Sequence, residues 1–241
     1  MSGFNILDFE NREELSQYLA EKIIQSANEI LKVQSRFNLV LTGGNSITPV
    51  FSRLAEYSNE KFWKKATIFW GDERCVPQTD SQSNYYSAKK HLLDHVDLRD
   101  DQIHRIIGEL GNIKAAEQYN ELVFKETLNR KEQNISTLFD FTILSLGQDG
   151  HIASLFPGQE YLDQADLFAI PVTAFYEDRP AERVSLTSYA INQSRMITLL
   201  VIGDTKWPAL ERMLNQAIHS DQIPAKRLLN CIGELEILRS K

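Results

Sequence analysis

The sequence predicts an α/β protein with a mainly parallel sheet, helices on both of its faces and a small antiparallel subdomain. Three observations carry this. Short apolar runs alternate with segments of helical period along most of the chain. The runs are nearly uninterrupted, as in strands buried on both faces, rather than alternating in and out like a half-solvated sheet. Four of them end in loops of glycine and polar residues, where the carboxyl ends of parallel strands gather a ligand site.

Asn11 is placed to cap a helix over 12–33, in which Leu15, Leu19, Ile23, Ala27 and Ile30 recur every three or four residues. Residues 37–44 then read as a buried strand entering a glycine turn, and 47–57 as a helix. A second strand is predicted over 66–77, ending in a charged loop. Ser83 caps a helix over 83–96, and 112–131 continues the helical pattern. Residues 139–147, 181–192 and 196–203 supply further strands, followed by a helix over 205–218. The connection between the last two strands is too short for a crossover helix, so the sequence predicts that they pair antiparallel. No repeat, low-complexity tract or linker divides residues 1–241, which are expected to form one domain with the subdomain around 160–190.

The chain has 241 residues, 42% hydrophobic and 24% charged, with a net charge of −7. That length supports a sizeable core, and the acidic balance argues against a nucleic-acid partner, which needs a basic face. No segment reaches the roughly 18 apolar residues of a membrane span. The N-terminal stretch lacks the basic and apolar regions of a secretory signal. The two cysteines, Cys75 and Cys231, form no CxxC pair. A reduced, soluble, cytoplasmic protein is expected.

Each strand-end loop has a plain reading beside a chemical one. Thr42-Gly43-Gly44-Asn45-Ser46 can present backbone N–H groups to an anion or a developing oxyanion, or can simply turn a strand into a helix. It matches neither a P-loop nor GxGxxG. Gly71-Asp72-Glu73-Arg74 offers carboxylates and a guanidinium whose planar fork suits phosphate; the alternative is a surface ion pair. Lys206, in Gly203-Asp204-Thr205-Lys206, opens a predicted helix, where the helix dipole disfavours a cation unless an anion joins it.

His91 and His95 share the i, i+4 spacing of a helix face, but the sequence offers neither the glutamate of HExxH nor a third ligand, so no metal site is expected. No GxSxG elbow is present, and no histidine lies near Cys75 in sequence, so covalent catalysis lacks a nucleophile. The remaining candidate is His151, in Leu144-Ser-Leu-Gly-Gln-Asp-Gly-His-Ile-Ala-Ser-Leu-Phe-Pro-Gly158. Imidazole titrates near neutrality and can activate water, and Asp149, two residues away, can orient it.

Together these segments resemble the 6-phosphogluconolactonases over nearly the whole chain. The resemblance lies in LTGGNSITPVF, IFWGDERCVPQTDSQSNYYSAKKHLL, FDFTILSLGQDGHIASLFPG, ERVSLTSYAINQSR and VIGDTKWPAL, which occur in that order. It implies a Rossmann-like fold shared with glucosamine-6-phosphate deaminases, ribose-5-phosphate isomerases and CoA transferases. It also implies hydrolysis of a phosphosugar lactone without a cofactor, with His151 as general base. Arg74, Arg183 and Lys206 are the implied basic contacts of the sugar phosphate, and Gly43 and Gly44 line the site. One departure is the glycine loop, which reads Gly43-Gly44-Asn45-Ser46-Ile47 where that family commonly has GGSTP. Two other readings are a sugar-phosphate deaminase or isomerase and a non-catalytic phosphosugar-binding protein. Deaminases carry a similar DGHIAFNEP segment, but Phe156 stands here where they have glutamate.

Overall fold

The computed structural model describes residues 3–159, 167–176 and 178–241. Among these residues seven parallel strands form the main sheet: β1 (Phe4–Phe9), β2 (Phe37–Leu41), β3 (Ala66–Trp70), β5 (Ile103–His104), β6 (Phe139–Ser145), β9 (Ser194–Ile202) and β10 (Glu234–Ser240), in the order β1-β10-β9-β6-β2-β3-β5. β2 and β3 are buried at every position, so both faces of the sheet's middle are covered. The helices are α1 (Arg12–Ile30), α2 (Thr48–Glu56), α3 (Asn84–His91), α4 (Asn112–Glu132), α5 (Ser188–Asn192) and α6 (Trp207–Leu214).

The caps expected from sequence are formed. Asn11 Oδ1 accepts from Glu14 N–H at 2.9 Å and Ser83 Oγ from Tyr86 N–H at 3.1 Å. Each satisfies a helical amide that has no partner within its own helix. On α1 the predicted stripe of Leu15, Leu19, Ile23, Ala27 and Ile30 is buried.

A second sheet of three antiparallel strands, ordered β4-β8-β7, is made by β4 (Asp72–Arg74), β7 (Ala169–Thr173) and β8 (Glu182–Leu186). The predicted strand over 66–77 is therefore two strands in two sheets. Gly71 is the joint between them: its N–H donates to Leu41 O and its carbonyl accepts from Leu186 N–H. The subdomain expected around 160–190 corresponds to β7 and β8, with residues 160–166 and 177 outside the described residues.

The expected antiparallel pairing of 181–192 with 196–203 does not occur. Thr187 Oγ1 accepts from Ala190 N–H and starts α5, so the strand ends at Leu186. β8 pairs with β4 and β7, whereas β9 enters the main sheet parallel to β6 and β10. A five-residue helix is enough to redirect the chain. The helix predicted over 83–96 likewise stops at His91, and His95 lies in a separate 3₁₀ turn, where its ring Nε2 contacts Lys90 O. The two histidines thus share no helix face.

Strand order also locates the crevice. After β2 the chain moves one way to β3 and β5, then returns to add β6 on the opposite side of β2. The reversal lies between β2 and β6, and at such a switch point the carboxyl-end loops diverge and leave an opening. The glycine loop follows β2 and the histidine loop follows β6.

Candidate active site

A cleft of about 210 Å³ occupies that opening. It is lined by Gly43 and Gly44 from the loop after β2, Asp72 and Arg74 from β4, His151 after β6, Arg183 from β8 and Lys206 after β9. Segments far apart in sequence thus reach one cavity. Asp149 stands behind His151 rather than on the wall.

The histidine loop is shaped to hold one imidazole. Asp149 Oδ1 accepts from His151 N–H at 3.1 Å and lies 2.6 Å from its Nδ1. Burial raises the Asp149 pKa, but the bonds from His151 outweigh it and hold the carboxyl below its usual value. A charged Asp149 accepts a hydrogen bond from Nδ1–H and so keeps the proton on that nitrogen, which leaves Nε2 with the free lone pair. The ring packs against Phe156, with centroids 4.6 Å apart, and edge-on against Tyr176 at 4.9 Å. A Cβ on residue 147 would fall 2.1 Å from His151 Nδ1, so only glycine leaves space for the ring there.

Asp72, a second carboxylate on the cleft wall, is engaged elsewhere. Its Oδ2 accepts from Ser154 Oγ at 2.6 Å, and its Oδ1 from Asn84 Nδ2 at 3.3 Å. Asp72 therefore ties the histidine loop to β4, while Asp149 orients the imidazole.

Cations gather along the rest of the wall. Arg74 and Arg183 are directly opposed across the β4–β8 ladder. Like charges facing each other in this way destabilise a sheet unless an anion lies between them. Arg74 Nη1 donates to Gln82 O at 2.6 Å and Arg183 Nε to Pro180 O at 3.1 Å, so both side chains are held in place. Lys206 Nζ lies 3.1 Å from Ser145 Oγ and 3.4 Å from Ser46 Oγ. Burial, together with the charges of Arg12 and Arg179, lowers its pKa to about 8.

Several lining residues carry no signal in the sequence. Arg179 and Tyr176 come from the segment between β7 and β8. Glu73 is visible in the GDER motif, but its role emerges only in the fold. Its carboxylate accepts from Arg74 N–H, Asn84 N–H, Tyr85 N–H and Ser83 Oγ, at 2.7 to 2.9 Å. Burial pushes its pKa up to about 7 against those bonds. Glu73 thereby anchors the start of α3 to β4, directly beside Arg74.

Among the described residues no cluster of three or more His, Cys, Asp or Glu can hold a metal ion. Burial and the nearby Glu182 and Glu73 push the Cys75 thiol up to about 12, far from a reactive thiolate.

A family model described as glucosamine-6-phosphate isomerases/6-phosphogluconolactonase matches residues 10–236. A 6-phosphogluconolactonase of Haemophilus influenzae is 33% identical over 220 residues, covering 88% of each chain. A probable 6-phosphogluconolactonase of Oryza sativa subsp. indica is 31% identical, covering 90% of this chain and 79% of its own. The crystal structure of a 6-phosphogluconolactonase from Thermotoga maritima superposes with a TM-score of 0.78 at 25% identity, covering 99% of this chain and 100% of the other.

Proposed function

The chain belongs to the family of glucosamine-6-phosphate isomerases and 6-phosphogluconolactonases, and from that premise we propose that it hydrolyses 6-phospho-D-glucono-1,5-lactone to 6-phospho-D-gluconate, the second step of the oxidative pentose phosphate pathway. The observation that carries this reading is an imidazole oriented at 2.6 Å by Asp149, in a cleft also lined by Arg74, Arg179, Arg183 and Lys206. Such a site pairs a base with a phosphate anchor.

In this mechanism His151 Nε2 takes a proton from water as its oxygen attacks the lactone carbonyl. The resulting tetrahedral oxyanion is stabilised by backbone N–H groups of the Gly43-Gly44 loop. Its collapse breaks the bond to the ring oxygen, which receives the proton from the imidazolium, and the new carboxylic acid ionises. Asp149 supports the transient imidazolium charge. Arg74, Arg183 and Lys206 hold the phosphate, and Asp72 lines the substrate side of the cleft. A lactone is already an activated ester, so these residues suffice without a cofactor. We assign the reaction to the cytoplasm, where thiols such as those of Cys75 and Cys231 stay reduced.

The deaminase reading is opposed by Phe156. At the position of the deaminase glutamate, this buried ring packs at a tilt against His151 and has no proton to transfer. The test uses freshly generated lactone, with spontaneous opening subtracted and glucosamine 6-phosphate assayed in parallel. Accelerated lactone opening without ammonia release is expected. Ammonia release would favour the deaminase, and binding of 6-phosphogluconate without acceleration a non-catalytic sensor.

A further inference from the structure

Asn84 is the first residue of α3, is 2% exposed, and reaches the cleft wall between the glycine loop and β4. Its side chain is clamped: Nδ2 donates to Asp72 O at 2.8 Å and lies 3.3 Å from Asp72 Oδ1. Its backbone is clamped as well, through its N–H to Glu73 Oε1 at 2.7 Å. The far side of the amide presses on the glycine loop. A Cβ on Gly43 would fall 1.9 Å from Asn84 Oδ1, 2.1 Å from Cγ and 2.6 Å from Nδ2. That Oδ1 is buried with no hydrogen-bond partner among the described residues. Buried orphan acceptors are rare enough to need a reason.

We propose that Asn84 is a positioning residue, a wedge that seats the Gly43-Gly44 loop while clasping Asp72, and so sets the spacing between the two walls of the cleft. The contact explains why residue 43 is glycine. Its backbone lies outside the left-handed region, unlike Gly44 at φ +89°, so the three nearest obstacles to a side chain all belong to Asn84. A short, doubly bonded amide cannot swing away without releasing Asp72. What the loop does once seated rests on the lactonase reading; the wedge itself does not.

The test compares wild type, Gly43→Ala, Asn84→Ala and the double variant by kcat, KM and Tm. Displacing a catalytic loop by about 1 Å costs on the order of 100-fold in rate. Each single substitution is therefore expected to lower kcat by roughly that factor, with KM for the phosphorylated lactone unchanged. The double variant should be no worse than Asn84→Ala alone, because the methyl then has room. Independent effects that multiply, or an Asn84→Ala enzyme with full kcat per folded molecule, would overturn the proposal. Should the wild type fail to open the lactone, the functional reading falls and the wedge is judged from Tm alone. Gly43→Ala must then lower Tm more with Asn84 present than without it, and equal losses would refute the wedge. If Asn84→Ala does not fold, Asn84→Ser, which lacks most of the amide, replaces it in the same cycle.

Discussion

His151 is legible in the sequence because its setting is local: Asp149 lies two residues away and Gly147 makes the space. That space gives the first prediction. Gly147→Ala should force both the imidazole and the Asp149 carboxylate out of their paired geometry and lower kcat far more than Tm, since the atoms it meets are side-chain atoms of His151 and Asp149. At Arg74, replacement by alanine should weaken binding of the phosphorylated lactone by about 1.5–3 kcal/mol, the usual range for a hydrogen bond to a charged group. Unphosphorylated gluconolactone should be almost indifferent, and equal damage to both substrates would make Arg74 a structural residue. Lys206 gives the alkaline prediction. Before substrate binds it is protonated below about 8 and neutral above. Affinity for the stable product 6-phosphogluconate should therefore fall as pH rises through that value, as titration calorimetry on either side would show. Lys206→Met should remove the step. Arg179 and Tyr176 are not legible as site residues, because nothing in their own neighbourhood marks them; Asn84 lies in a segment that carries the family resemblance, but its place against the glycine loop is set only by the fold.

Elements with a strong local signal read well. α1 and α4 have long periodic stripes, and β2, β3 and β6 are apolar runs bounded by turns. β1 and β10 go unmarked because FNILDF and ELEILRS mix polar and apolar residues and do not read as buried runs. β10 nevertheless pairs on both edges, with β1 and β9, so neighbours far away in sequence decide its place. Connection length alone misplaces β8 against β9, because Thr187 caps a helix between them. The histidine loop also depends on its glycines as an element. Gly150 has φ +94°, and a Cβ there would meet Ile223 Cδ1 at 2.1 Å. Gly150→Ala is expected to cost at least the roughly 1–2 kcal/mol of a left-handed L-residue, with overpacking added. A shift of the urea midpoint with unchanged slope would show it. An unshifted midpoint would mean that the loop tolerates a side chain.

Across the whole molecule, a chain of net charge −7 brings Arg74, Arg179, Arg183 and Lys206 to a single cleft. A dianionic substrate is repelled at long range and captured at short range, so composition alone does not reveal the preference. The two sheets explain the convergence: the parallel one presents the glycine, histidine and lysine loops at one edge, and the antiparallel one sets its arginines against them. The central claim is that this constellation serves one base. Its most direct test is the steady-state rate of lactone opening by His151→Asn, which keeps a similar shape and hydrogen-bonding capacity but cannot accept a proton at neutral pH. The expected kcat is lower by about 100- to 10,000-fold, the usual worth of general-base catalysis, with KM little changed and the acid limb of the kcat/KM profile abolished. A folded His151→Asn enzyme within a few-fold of wild type would contradict it.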